Sequence, residues 1–356
     1  MKKLWAIILI PVLAFTFVLS GCSKKVTVDD SVQGKKISLY SNPEAFTTPN
    51  RLKALIDAKD KELVVIGVLD PAKALLPGNI AGTPIEGSYT VWRPDYSGAG
   101  SKESISPDVG GYRKSKEDME GLLSKAGATA NSNIVVYAAD AHHDAARLYW
   151  QIKALGHKDV RVLDGGLNAW IGAGYPTSNA RKLADEAKKT DYKAASYDIK
   201  NLDADIKTLT AALNNPKDWV VIDTRSIDEY DGKKAGSSKG AFGTGRIKGT
   251  VHIEWTNAVN KEDTTLKTID EIKQVYGDTI KGKKVIVFCQ SGVRSAHTYS
   301  VLTNVLGAEN VYNYDGSWIE WSYAASEASK GKVDDNLRDQ VLKLTELWSD
   351  NKEAIK

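Results

Sequence analysis

Short apolar runs alternate with amphipathic stretches along most of the chain. Residues 63–68, 134–137, 160–163, 220–222 and 285–288 are Val/Ile/Leu-rich and too short for helices, so they read as buried strands. Helical spacing of apolar residues marks 52–56, 118–123, 145–155, 206–213 and 295–305 between them. Near the end, Leu337, Val341, Leu344 and Trp348 recur at helical intervals, predicting one helix over residues 334–348. Strands alternating with helices predict an α/β fold whose parallel sheets are flanked by helices. The 356 residues are enough for roughly two such domains.

The pattern also repeats. Val135-Val136-Tyr137, Gly156, Asp164 and Trp170 find their matches in Ile286-Val287-Phe288, Gly307, Asp315 and Trp321, each 151 positions later. A repeat of that length means two copies of one domain. On the same offset Cys289 falls on Ala138, Gly292 on Ala141 and Arg294 on His143; Asp223-Thr224-Arg225 aligns by eye, off that offset, with Gly67-Val68-Leu69. Whatever chemistry belongs to Cys289 is confined to the second copy.

The first residues follow a different rule. Met1-Lys2-Lys3 precedes an apolar run from Leu4 to Leu19, interrupted by Pro11, with the charge and length of a secretory leader. Its end, Leu19-Ser20-Gly21-Cys22, resembles the bacterial lipobox. That resemblance implies cleavage before Cys22 and a lipid anchor on its sulfur, with at least two acyl chains for stable attachment. Ser23 would then favour the outer membrane, facing the periplasm, in a Gram-negative envelope. An ordinary signal peptide or an uncleaved anchor is the alternative. The polar segment 22–45 reads as a tether, against a structured extension packing through Ile37 and Leu39.

Composition narrows the chemistry. A net charge of +3, without basic runs interleaved with aromatics, gives no reason to expect nucleic acid as a partner. Cys22 and Cys289 are the two cysteines, too few for a zinc site or a disulfide framework. The glycine-rich stretch 231–245 precedes no helix at phosphate-loop spacing, which argues against nucleotide binding.

Cys289 stands where the apolar strand 285–288 meets a helical segment, followed by Gln290, Ser291, Gly292, Val293 and Arg294. Backbone N–H groups at such a junction stabilise an anion, so the thiol should ionise more readily than its free value of ~8.5 allows. Cys-Gln-Ser-Gly-Val-Arg-Ser resembles the active-site loop of the rhodanese (sulfurtransferase) family. The segments around Asp223-Thr224-Arg225, Arg246-Ile247-Lys248-Gly249 and Tyr314-Asp315-Gly316-Ser317-Trp318 resemble its other signatures in order.

The resemblance implies two tandem rhodanese-like domains, the second catalytic, with Cys289 carrying a persulfide. It implies substrate contacts from Gln290, Ser291, Gly292, Val293 and Arg225, with Arg246 as a second cation. For Arg225 the alternative is a salt bridge to Glu229 or Asp228. Arg294 is expected to brace the loop, through Glu229, more than to touch substrate. Arg93, in the first domain, is either an anion contact or a solvated loop residue. The His142-His143-Asp144 run is read as loop polarity, not as metal ligands. The partners expected are a small anionic sulfur donor and a thiophilic acceptor, with no metal and no organic cofactor. Thiosulfate is the expected donor, 3-mercaptopyruvate the alternative favoured by Ser291. A sulfur or selenium relay protein with little turnover of its own is the rival of another class. Phosphatase loops have five residues between Cys and Arg, whereas four intervene here.

The expected partition is a leader at 1–21, the tether at 22–45, a non-catalytic domain at 46–180 and a linker at 181–205. A catalytic domain at 206–330 and a C-terminal helix at 331–356 follow.

Overall fold

The computed structural model describes residues 29–99, 104–106, 109–139, 142–178, 189–233 and 240–350. The leader, Cys22, Ala141 and part of the glycine-rich stretch lie outside the described residues.

The first half contains β1 (Phe46–Thr47), β2 (Leu63–Val68), β3 (Tyr89–Val91), β4 (Ser97–Ala99), β5 (Gly110–Arg113), β6 (Asn133–Ala138) and β7 (Val160–Leu163). Five of these form an all-parallel sheet in the order β1-β7-β6-β2-β3, while β4 and β5 make a separate antiparallel ribbon. The second half contains β8 (Asp203–Ala204), β9 (Trp219–Asp223), β10 (Gly243–Ile247), β11 (Val251–His252), β12 (Lys284–Phe288), β13 (Val311–Tyr314) and β14 (Thr345–Asp350). Its parallel sheet runs β8-β13-β12-β9-β11, the same topology again. Successive side chains of a strand point to opposite faces, and both faces must be covered. Val65, Val135 and Tyr137 accordingly pack with Leu52, Leu167 and Trp170, whereas Ile66, Ile134 and Val136 pack with Met119, Leu148 and Ile152.

Strand register makes the repeat a structural fact. Tyr137 pairs with Gly67 in the first sheet, and Phe288 pairs with Asp223 in the second. Asp223 therefore occupies the place of Gly67. A Cβ at Gly67 would lie 2.6 Å from the Tyr137 ring, whose hydroxyl fills that space and accepts the Ile85 N–H at 3.0 Å.

The two halves are not separate bodies. Helix His142–Ala154 of the first packs along helix Val293–Ser300 of the second, and every residue of the former except His143 and Lys153 is buried. Ile66, Leu148 and Ile152 belong to one continuous core with Ile222, Val287 and Leu302.

Three expectations about the connecting segments are corrected. Residues 31–45 are no tether: helix Val32–Ser38, capped by the Ser31 hydroxyl, buries Ile37, while Leu39 stays 68% exposed. The polar residues that suggested a tether find partners across both domains. Lys36 Nζ sits 3.1 Å from Asp164 and donates to the Leu266 carbonyl at 2.5 Å. The Tyr40 hydroxyl donates to the Lys267 carbonyl at 2.8 Å. The second domain begins within the expected linker, because β8 pairs with β13; residues 190–194 lie against helix Lys116–Lys125, with Tyr192 buried. The C-terminal helix ends at Leu344. Thr345 leaves helical geometry at φ −89° and ψ 128°, and β14 pairs antiparallel with β10. Trp348 thus lies on a strand, its ring filling the space a Cβ on Gly243 would need.

Burial pushes the Asp164 carboxyl up, but His142, Lys36 and the Leu266 N–H outweigh it and hold the carboxyl below its ordinary range. A depressed folded value gives stability that is present above the unfolded carboxyl's ~3.9 and is lost as pH falls below it. Asp164→Asn should flatten this acid limb in urea unfolding followed against pH. It should also lower stability at neutral pH by about 3 kcal/mol, the cost of leaving one side of a buried pair uncompensated.

Candidate active site

Strand β12 delivers Cys289 to its C-terminal end, and Gly292, at φ +74°, turns the chain into helix Val293–Ser300. The outer edge of this loop is fixed by the segment after β13. The Ser317 hydroxyl accepts the N–H groups of Cys289 (3.2 Å) and Gly292 (2.9 Å) and donates to the Tyr314 carbonyl. The Trp318 and Ile319 N–H groups donate to the Cys289 and Gln290 carbonyls at 3.0 and 3.1 Å. With the carbonyls engaged on this side, the Ser291 and Ser295 N–H groups serve the sulfur, and the Ser295 hydroxyl stands 3.6 Å from it. Cys289 is 1% exposed. Burial pushes its thiol up, but the charge of Arg294 and these donors outweigh it and the thiol is held below its ordinary value. The thiol therefore ionises more readily than an ordinary cysteine, and the thiolate is the nucleophilic form.

Arg294 reaches the sulfur only through its field. Its guanidinium makes a two-point contact with Glu229 at 2.7 and 2.8 Å. Despite burial, that contact holds the Glu229 carboxyl at about 2. Glu229 also caps its own short helix, bonding back to Ser226, so the brace ties the loop to the segment after β9.

Expected substrate contacts are corrected at Arg225, Arg246 and Gln290. Arg225 is buried, its Nε and Nη2 bonded to the Asp223 carboxylate, Nη2 also to the Gly245 carbonyl, and its plane 4.4 Å from the Trp318 ring centroid. The partner is Asp223, not Glu229 or Asp228, and no part of the cation faces a cleft. Arg246 lies on β10 and pairs with Glu346 of β14 at 3.2 Å, over the Tyr230 ring.

The open space above the loop is a cleft of about 490 Å³ lined by Ser291, Val293, Ile319 and Gly240 from the second domain. Its other wall is the ribbon β4–β5 with Arg93 and Pro94, all from the first. Arg93 is 40% exposed there, its Nε held by Asp144 at 2.9 Å. Gln290 points elsewhere: its side chain is buried and does not line the cleft. The adjacent histidines diverge. His142 Nε2 lies 3.0 Å from the Gly165 nitrogen and 3.2 Å from the Asp164 carboxylate, and His143 packs against Trp255. Among the described residues no group of three or more His, Cys, Asp or Glu is placed to hold a metal.

Sequence reasoning missed the cross-domain residues. Arg113 and Arg147 converge on Asp315, directly behind the loop, and Arg113 also pairs with Asp203 at 2.8 Å. A charged residue amid Ala145-Ala146 and Leu148-Tyr149-Trp150 was the available signal for Arg147, since such a position is tolerated only with a buried partner.

Residues 48–173 and 205–324 match the Rhodanese-like domain. The chain is 35% identical over 211 residues to a Haloferax volcanii protein named "Putative thiosulfate sulfurtransferase", covering 58% of this chain and 71% of that one. It is 28% identical over 295 residues to the Mycobacterium bovis protein "Putative thiosulfate sulfurtransferase SseA", covering 81% and 91%. Among solved structures, Tum1 of Saccharomyces cerevisiae shares the fold with a TM-score of 0.63 at 20% identity, over 78% of this chain and 94% of that one.

Arg225→Ala should strand the Asp223 carboxylate in the core. A loss of about 3–5 kcal/mol in denaturant unfolding is expected. Unchanged stability with weakened donor binding would instead return Arg225 to the substrate.

Proposed function

Since the chain belongs to the rhodanese family, with two rhodanese-like domains in tandem, we propose that Cys289 is its nucleophile and thiosulfate its sulfur donor. It is a sulfurtransferase that acts through a cysteine persulfide. The observation that carries the residue assignment is the buried sulfur of Cys289, set at the turn from β12 into helix Val293–Ser300 with the Ser291 and Ser295 N–H groups beside it, in a loop whose Ser291 and Val293 line a cleft that Arg93 also lines.

The Cys289 thiolate attacks the outer sulfur of thiosulfate. A new S–S bond forms, the S–S bond of the donor breaks, and sulfite leaves with its electron pair. The N–H groups of the loop hold the charge that then rests on the outer persulfide sulfur. A thiophilic nucleophile, cyanide or a thiol, takes that sulfur and returns the thiolate, the covalent two-step scheme expected of such a nucleophile. Cys289 is the only cysteine of the chain besides Cys22, so release requires an acceptor from outside.

The donor follows from the count of cations at the cleft. A keto-acid donor such as 3-mercaptopyruvate calls for positioned cations on its carboxylate. Among the described residues Arg93, itself held by Asp144, is the cation that lines the cleft, whereas Arg225 and Arg246 do not line it. One arginine with loop N–H groups suits a small inorganic dianion, and the names of the similar proteins agree with that choice. Ser291, on the cleft wall, remains the feature that favours 3-mercaptopyruvate.

The lipobox-like Leu19-Ser20-Gly21-Cys22 supports a place in the cell envelope, with the protein anchored to a membrane through lipid on Cys22. Cys22→Ala should release the protein from membranes without changing turnover. A variant that stays bound through carbonate washing would point to an uncleaved anchor.

Cys289→Ser should abolish sulfite release from thiosulfate in the presence of cyanide, with the fold intact. Arg93→Ala should lower kcat/KM for thiosulfate by about ten- to a hundredfold, the size of a lost charged hydrogen bond. Better turnover of 3-mercaptopyruvate than of thiosulfate would overturn the choice of donor.

A further inference from the structure

The loop that carries Cys289 is held from behind by a residue of the other domain. Arg147 lies in the middle of helix His142–Ala154, fully buried, with its guanidinium 5.0 Å from the Trp150 ring centroid. Its Nη2 pairs with Asp315 and donates to the Gly111 carbonyl at 3.2 Å, and its Nη1 reaches the Gly292 carbonyl at 3.4 Å. Gly111 belongs to the first domain's wall of the cleft, and Gly292 to the nucleophile loop. One planar cation therefore spans both sides of the site.

The Gly292 peptide has little freedom left. Asn313 Nδ2 donates to the same carbonyl at 3.1 Å, while the Gly292 N–H is held by Ser317. A Cβ on Gly292 would lie 2.9 Å from Arg147 Nη1 and 2.8 Å from Asp315 Oδ1, so glycine is required by the pair behind it as well as by its φ. In a planar trans peptide the C=O and the following N–H point in opposite directions. Holding the Gly292 carbonyl backward thus fixes the direction of the Val293 N–H and the start of helix Val293–Ser300, which carries the Ser295 N–H and hydroxyl beside the sulfur.

We propose that Arg147 is a positioning residue for sulfur transfer, clamping the nucleophile loop of the second domain to the cleft wall of the first so that the loop N–H groups stay on the Cys289 sulfur. The role in transfer rests on the sulfurtransferase reading; the clamp does not. A residue that only balanced the charge of Asp315 would be replaceable by lysine. Lysine is a point charge and lacks the planar fork that reaches two carbonyls and a carboxylate at once.

Arg147→Lys in the full chain distinguishes the two. Ultraviolet thiolate absorbance against pH, with Cys289→Ser as the reference, reads the ionisation of Cys289 without any sulfur donor. The clamp predicts a rise of about one pH unit in the midpoint, or about a tenfold smaller thiolate fraction below it. A comparable fall in kcat with thiosulfate and an essentially unchanged thermal midpoint should accompany it. A lysine variant with the wild-type titration and turnover overturns the proposal. If that variant does not fold, Arg147→Met combined with Asp315→Asn removes both charges together. The same rise is expected there, and an unshifted midpoint again overturns the clamp. A wild-type protein that turns over no sulfur donor would sink the sulfurtransferase reading while leaving the titration test standing.

Discussion

Each half of this molecule ends its last core strand in a buried aspartate, and each aspartate is satisfied largely by groups from outside its own domain. Asp315 follows β13 and receives Arg113 and Arg147 from the first domain. Asp164 follows β7 and receives the Leu266 N–H from the second domain, Lys36 from the N-terminal extension and His142 from its own. A carboxylate removed from water is tolerable only with such partners, so neither strand end is complete until the other domain is in place. The loop that carries Cys289 sits directly on the Asp315 half of this exchange.

The halves divide the work unevenly. The second supplies the sulfur, the N–H groups around it and the Arg294–Glu229 brace. The first has Ala138 where the nucleophile would be, and a tyrosine ring fills the room that Asp223 uses opposite. It contributes the ribbon β4–β5 and Arg93, the wall of the cleft opposite Ser291 and Val293. The ribbon is itself docked on the second domain, where the Tyr112 hydroxyl donates to Glu320 and the Arg113 N–H to Asp315.

The sheets, the repeat and the place of Cys289 were legible because strand periodicity, a constant offset and a strand-to-helix junction are local patterns. What escaped was long-range. Arg225 read as a substrate contact because it matches a family signature, with Asp228 and Glu229 as the alternative partners; the partner, Asp223, is two residues back on β9, and Trp318 closes over the pair. The polar segment before Phe46 read as solvated because its partners, Asp164 and the carbonyls of Leu266 and Lys267, lie more than a hundred residues away. Trp348 kept helical spacing with Leu344 and Val341, yet pairing of β14 with β10 outweighed that periodicity. Arg147 carried no motif at all, only the oddity of a charge inside an apolar helix.

The continuous core through helices His142–Ala154 and Val293–Ser300 has a consequence for how the protein unfolds and evolves. Two domains that share buried surface lose stability together, so denaturation should be a single cooperative event and not two. Duplication freed the first copy from chemistry but not from mechanics. Substitutions along its central helix are felt by the helix that follows Cys289, and a domain without that cysteine is kept under constraint by the one that has it.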